Sequence, residues 1–227
     1  MTDNIDKYNK GNATVKNGAD DQKSDKTDNL ENNIEDNERK MVDVIIPTYR
    51  PAKEFGELLH RLEKQEYRPN RILVMNTGKE YWNSEWENYP LLEVHHLDQK
   101  DFDHGGTRKR AAELSTSDIM VFMTQDALPA DRKMIGNLVR AVSRNSGTGA
   151  AYARQLPKAD CRFLERYTRS FNYPEQSSVK SLPDVETYGI KTYFCSNVCA
   201  AYDREIYQTS SGSGECRGYR RCKSNRS

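Results

Sequence analysis

Short apolar, largely β-branched runs alternate along this chain with segments whose apolar residues recur at helical spacing. No other feature restricts the fold as tightly. Val42–Ile46 is such a run, and Phe55, Leu58, Leu59 and Leu62 then form one stripe across 52–65. Pro47–Pro51 is expected to end the first strand and Pro69 to close the helix. Arg71–Met75 reads as a second strand before the turn-like Asn76-Thr77-Gly78, and Leu92–Leu97 as a third. Gly105 and Gly106 open a helix carrying Ala111, Ala112 and Leu114. Asp118–Thr124 is a further strand, followed at once by Asp126, and Met134, Ile135, Leu138 and Val142 mark another helix. Ala150–Ala153 and Thr192–Ala201 complete the expected strands. Strands alternating with crossover-length helices predict an α/β fold, a mostly parallel sheet covered on both faces.

Composition sets the limits of that domain. Charged residues are 30% of the chain and apolar ones 35%, but the polarity is concentrated at the ends. Of 35 bases and 34 acids, residues 1–40 hold 7 and 10 and residues 209–227 hold 5 and 1, so residues 41–208 carry 23 of each. A neutral middle gives no electrostatic reason to expect a nucleic-acid partner. Residues 1–40, rich in Asn, Asp and Lys, are expected to be a disordered polar tail. The expected domain is 41–208, with 209–227 a disordered or aberrant basic tail. No apolar run approaches the roughly 18 residues of a spanning helix, and the first residues lack the apolar stretch of a secretory signal, so a cytoplasmic location is expected. Five cysteines without a signal read as reduced thiols. Cys195 and Cys199 have a spacing used by some zinc sites but lack a second pair nearby, so they read as small buried residues.

In sheets of this kind ligands gather beyond the carboxyl ends of the strands, where Thr48, Tyr49, Asn76, Gln125 and Asp126 fall. Asp126 can hold a hard divalent ion, which would offset the charge of a diphosphate leaving group; the alternative is a cap for the following turn. In Asp103-His104-Gly105-Gly106-Thr107-Arg108, paired glycines allow close backbone approach, a helix start offers free amides, and Arg108 can grip a phosphate; the alternative is a plain loop with a solvated Arg. Pro47-Thr48-Tyr49 could place an aromatic against a base, or merely form a turn. His95 and His96 read as structural, and Tyr81, Trp82 and Trp86 as either a binding rim or packing.

Four segments together resemble the family 2 glycosyltransferases, and among them the bacterial rhamnosyltransferases of cell-surface polysaccharides: Val42-Asp-Val-Ile-Ile-Pro-Thr-Tyr-Arg, Asp103-His-Gly-Gly-Thr-Arg, Thr124-Gln-Asp-Ala and Cys195-Ser-Asn-Val-Cys-Ala-Ala-Tyr-Asp-Arg. The resemblance implies a GT-A fold, a nucleotide-diphosphate sugar donor, Mg2+ or Mn2+, and inversion at the anomeric carbon. It also implies a saccharide or lipid-linked saccharide acceptor, with peripheral contact at the inner face of the membrane. By position, Pro47, Thr48 and Tyr49 would line the nucleotide pocket, with Asn76 where many relatives carry an Asp. His104, Gly105 and Arg108 would border the diphosphate. Gln125 and Asp126 would occupy the Asp-x-Asp metal motif, with Asp126 the carboxylate that remains. The family's general base lies in an acidic pair after a Gly-Gly-Phe stretch, and no such pair follows Gln208. The expectation is an altered ending with the acceptor half absent and transfer impaired. Asp184, Glu186 and Asp203 are the nearest carboxylates, and none is assigned as base. A non-catalytic nucleotide-binding module is the alternative; a nucleotidyltransferase is disfavoured by the lack of a Gly-rich, Lys-containing signature after the first strand.

Overall fold

The structure, a computed structural model, describes residues 39–145, 147–157 and 161–212. The expected disorder of residues 1–38 and the nature of residues 213–227 lie outside these. The elements run β1 (Val42–Tyr49), α1 (Phe55–Glu63), β2 (Arg71–Thr77), β3 (Leu92–Leu97), α2 (His104–Leu114), β4 (Ile119–Met123), α3 (Met134–Ser143), β5 (Ala150–Tyr152), α4 (Phe163–Asn172), α5 (Val185–Tyr188), β6 (Cys199–Asp203) and α6 (Arg204–Gly212). The sheet order is β3-β2-β1-β4-β6-β5. The first four are parallel, while β6 runs antiparallel to both β4 and β5. The α/β expectation holds, with helices on both faces.

Alternation along β1 sorts its side chains between the two faces. Val42, Val44 and Ile46 join Val74, Val121, the α1 stripe and Ile135, Leu138 and Val142 of α3 in one buried cluster. Ile45, Leu73, Met75, Met120 and Phe122 face Ala111 and Ala112 of α2, with Tyr202 and Tyr207 beside them. Trp86 belongs to the first cluster at 8% exposure, packed edge-on to Phe55 and Trp82 at 5.0 Å from each. The tryptophans therefore pack rather than form a rim.

β1 does not stop at Pro47, as the sequence suggested, but runs on to Tyr49 paired with β2. A strand's N–H groups point alternately to its two neighbours. Tyr49 N points toward the β4 side, where it meets Gln125 Oε1, so Pro47 points that way too. The β1–β4 pairing has already ended at Ile45–Phe122. The missing N–H of Pro47 therefore costs no ladder bond. The expected strand over Thr192–Ala201 is also corrected. Residues Gly189–Tyr193 form a 3-10 turn and only Cys199–Asp203 pairs, because Phe194 leaves the strand direction to pack on Tyr152 and Tyr173. The expected helix over 52–65 is shorter, Phe55–Glu63. Residues 209–212, assigned to the aberrant tail, continue α6.

α4 was not foreseen. Its apolar residues Phe163, Leu164, Tyr167 and Phe171 are 57–83% exposed, while Arg169 turns back toward Gln155. Of its polar residues only Arg169 and Asn172 are half-buried.

At the amino edge of the strands Asp43 is fully buried. It accepts from Arg71 Nη2 at 2.9 Å and Ser115 Oγ at 2.8 Å. Burial pushes its carboxyl up, but the hydrogen bonds and the Arg71 charge outweigh that and hold it below the usual carboxylate range. Arg71 also bonds Glu93 and the Leu114 carbonyl at the end of α2. This pins α2 with its last turn at the amino edge and its first turn at the carboxyl edge, where a crossover helix must begin.

Candidate functional site

The carboxyl edge is organised by side chains that bond to one another before any ligand arrives. The Gln125 amide forms a reciprocal pair with the Tyr49 backbone: Tyr49 N donates to Oε1 at 2.8 Å and Nε2 donates to the Tyr49 carbonyl at 3.1 Å. A side-chain amide here replaces the strand that β4 no longer supplies. The same turn, closed by Ala127 N to Thr124 O at 3.1 Å, presents Asp126 to solvent. Asp126 has no hydrogen-bond or ion-pair partner among the described residues. Thr124 Oγ1, two residues earlier, is buried without a partner.

Thr48 and Asn76 lie together, but behind the surface. Thr48 Oγ1 donates to Asn76 Oδ1 at 2.9 Å, and Asn76 Nδ2 donates to the Gly78 carbonyl and to His96 Nδ1 at 3.0 Å. Their exposures are 2% and 0%. Both polar ends of the Asn76 amide are thus occupied, so Asn76 shapes the floor rather than reaching outward. Because Nδ1 of His96 accepts, its proton sits on Nε2. Burial, with the nearby Lys79 charge, pushes His96 below its usual value and keeps it neutral. Gly78 follows at φ 81°, a left-handed turn that a side chain would strain.

Tyr49 is 38% exposed and meets Tyr81 edge-on at 6.4 Å. The Arg50 guanidinium lies 5.1 Å from the Tyr49 ring and 4.3 Å from the Tyr81 ring, and donates to Tyr81 Oη at 2.7 Å. Arg50 has φ 47°, a conformation that costs a non-glycine residue about 1–2 kcal/mol. Its two aromatic contacts oppose that cost. Sequence reasoning named Tyr49 and read His96 as structural, but it missed Arg50 and did not foresee the bond from Asn76 to His96. Only three-dimensional proximity to Tyr81 and Asn76 reveals them.

α2 begins at the same edge. The Asp103 side chain caps it by accepting from Gly106 N. A Cβ on Gly106 would fall 2.9 Å from Asp103 Oδ2, so this glycine is required by the cap itself. His104 and Gly105 are exposed, and Arg108 is half-buried. Arg108 Nη1 donates to the His104 carbonyl at 3.3 Å, while its Nε is buried without a partner. No ion pair joins Arg108 to Asp126 among the described residues.

No group of three His, Cys, Asp or Glu side chains converges among the described residues. Cys199 packs against Met134 and Cys195 against Tyr202, which agrees with the reading of both as packed thiols. A metal at Asp126 would therefore have one carboxylate, with the Thr124 hydroxyl as a neutral oxygen donor. Mg2+-type sites in phosphate chemistry commonly use one or two carboxylates and take remaining ligands from substrate phosphates and water. The residues fit an ion of that kind.

Against known proteins, the family model described as Glycosyl transferase family 2 matches residues 43–210. The O-antigen chain rhamnosyltransferase RfbN of Salmonella typhimurium is 38% identical over 178 residues, 75% of this chain and 55% of its own length. WbaN of Salmonella anatum, of the same description, is 30% identical over 171 residues, 74% of this chain and 54% of its own. The chain thus spans about half the length of these curated relatives. Among solved structures, the mannosyltransferase PcManGT from Pyrobaculum calidifontis, in complex with GDP-Man and Mn2+, has a TM-score of 0.50 at 20% identity, covering 75% of this chain and 46% of its own. S. aureus TarS 1-349 has a TM-score of 0.53 at 16% identity, covering 75% and 49%. These two likenesses concern the fold.

Proposed function

Since this chain belongs to the family 2 glycosyltransferases, we propose that its carboxyl edge binds a nucleotide-diphosphate sugar for transfer, with inversion, to a saccharide or lipid-linked saccharide acceptor. Rhamnose is the sugar this reading assigns, supported by the 38% identity to an O-antigen rhamnosyltransferase. The observation that carries the reading is the Gln125 clamp, which fixes the turn bearing a free carboxylate against the end of β1. Tyr49, Pro47 and the buried Thr48–Asn76–His96 group form the nucleotide side, and His104, Gly105 and Arg108 the diphosphate side.

Asp126 and the Thr124 hydroxyl would hold Mg2+ or Mn2+, and the PcManGT complex with Mn2+ supports that choice. When bound, such an ion neutralises charge on the departing diphosphate. The chain's own part is placement. Tyr49 and the Arg50–Tyr81 pair wall one side, and the half-buried Arg108 brings its guanidinium charge to an anionic oxygen. An acceptor hydroxyl then attacks the anomeric carbon from the face opposite the diphosphate, the bond from carbon to diphosphate oxygen breaks, and the hydroxyl proton leaves to a base. Holding the groups in line supplies much of the acceleration.

Two carboxylates can be set aside as that base. Asp203 pairs with Ile119 at the amino edge, accepts from Ile206 N and lies 3.9 Å from Lys40, on the far side of the sheet. Asp184 accepts from the Ser181 hydroxyl and backbone N–H, which hold it below its usual value and weaken it as a base. A donor-binding module without transfer is the second reading. No helix among the described residues is long and apolar enough to cross a membrane. We place the protein at the cytoplasmic face with peripheral membrane contact, a reading the outward apolar side of α4 supports.

The test is thermal denaturation with dTDP or UDP and MnCl2 or MgCl2. A nucleotide at a hundredfold excess over Kd stabilises by about 2.7 kcal/mol, or roughly 5–11 °C. Asp126→Ala should remove the metal-dependent part, and an unchanged shift in that variant defeats the assignment. Transfer to an added acceptor then separates enzyme from binding module.

A further inference from the structure

Among the described residues Arg50 is the only non-glycine with a positive φ. Its guanidinium carbon lies over two aromatic rings at the carboxyl edge, 5.1 Å from the centre of the Tyr49 ring and 4.3 Å from that of Tyr81. A guanidinium is planar and delocalised and stacks on aromatic faces. It therefore takes up the surface that a flat aromatic ligand would use.

The two rings are held without its help. The Tyr49 main chain is gripped on both its N–H and its carbonyl by Gln125. Tyr81 lies in the short 3-10 turn Lys79–Tyr81. A Cβ on Gly78 would fall 3.0 Å from Tyr81 Cδ2, so the ring rests directly on that glycine. The rings brace each other edge-on at 6.4 Å.

Arg50 itself is lightly held. It is exposed, and beyond the two ring faces it makes one hydrogen bond, from Nη2 to Tyr81 Oη at 2.7 Å. No carboxylate pairs with it among the described residues, so its charge is uncompensated. The left-handed backbone at φ 47° opposes the seated position. Of the three side chains, the arginine is thus the one free to move. Base–aromatic stacking is stronger than an exposed cation–π contact, so a nucleobase displaces the guanidinium rather than the reverse.

We infer that Arg50 is a displaceable placeholder: it covers the Tyr49 and Tyr81 faces until a nucleobase takes them, and its freed guanidinium then pairs with the phosphates of the same nucleotide. This rests on the reading of the carboxyl edge as a nucleotide site and adds a coupling to it. Base and diphosphate are not recognised independently, because the base releases a cation that grips the phosphates. A nucleoside alone displaces the arginine without that return, so the site favours the complete nucleotide.

The test is NMR titration of the full chain in MgCl2 with thymidine, uridine and guanosine, and with the 5′-diphosphate of each. Arg50→Ala should bind the preferred nucleoside about two- to fivefold more tightly, the effect of removing an exposed cation–π competitor. It should bind the matching diphosphate at least about threefold more weakly, because the lost charge-assisted bond to phosphate outweighs that gain. Tyr81→Phe keeps the ring and removes the acceptor for Nη2. It should tighten the nucleoside by a smaller factor and leave the diphosphate bound no more weakly than by the native chain. Melting of the unliganded variants at the native temperature is the folding control. Nucleoside binding no tighter in Arg50→Ala than in the native chain, or a diphosphate-to-nucleoside affinity ratio that does not fall, would overturn the placeholder while the nucleotide reading stands. Failure of the native chain to bind any of the three diphosphates would overturn both.

Discussion

Replacing Arg71 with Met removes the only cation bonded to the buried Asp43 among the described residues. The carboxylate has no exposed surface, so it cannot recover water. Loss of one partner of a buried pair costs about 3–5 kcal/mol. Protonation caps that cost. Taking a carboxyl with an ordinary pKa of about 3.9 to its neutral form at pH 7 requires roughly 3 units at 1.36 kcal/mol each, or about 4 kcal/mol. Ser115 and Asn70 still donate to Asp43 in the variant, so we expect about 3 kcal/mol at pH 7. At pH 5 the same cap falls to about 1.5 kcal/mol. The native protein behaves in the opposite sense: its Asp43 sits below the ordinary value, so the contribution of the pair is present above about pH 4 and is lost as pH falls through the folded-state value. Urea denaturation of both proteins at pH 7 and pH 5 reads this directly, through the midpoint at constant slope. A penalty that is the same at both pH values, or below about 1 kcal/mol at pH 7, would refute the desolvation argument. Asp43→Asn added to Arg71→Met should recover part of the loss, because no charge then remains to be stranded.

Gln125→Ala should cost roughly 1 kcal/mol of stability for its two lost hydrogen bonds and sharply reduce the metal-dependent nucleotide shift. Gln125→Glu should reduce that shift further, because a carboxylate oxygen would then face the Tyr49 carbonyl. Gly106→Ala is expected to be near neutral: helix propensity gains about 1 kcal/mol while the displaced Asp103 cap loses a similar amount, so Asp103→Ala should cost about 1 kcal/mol alone and almost nothing in the alanine background, as a double-mutant cycle will show. Cys199, with its thiol pushed up to about 12 by burial, should resist maleimide at pH 8 until the protein unfolds, whereas the half-buried Cys161 reacts, as peptide mapping can establish.

The sheet was legible because each buried strand is a hydrophobic run too short for a helix and bounded by turn residues. The α1 and α3 stripes were legible by their spacing. The end of β1 was not, because Pro47 is harmless only where β4 has stopped pairing, a fact of register rather than of local sequence. α4 escaped because its apolar residues are left exposed and none of its residues is buried, so it has no core-facing stripe to read. At the candidate site, Asp126 and Gln125 were named from their position after an apolar strand. Asn76 was placed at the surface by the same logic and proved to be buried, since its partners Thr48 and His96 arrive from strands on either side. Arg50 and Tyr81 lie far apart in the chain, and no spacing rule brings them together.

Gln125 grips only main-chain atoms of residue 49. The side chain at that position is therefore free to change, from tyrosine to another aromatic or to something smaller, without moving the carboxylate one residue beyond the glutamine. On the proposed reading, choice of nucleobase and placement of the cation ligand are decoupled, so descendants of this chain can drift in the first while conserving the second.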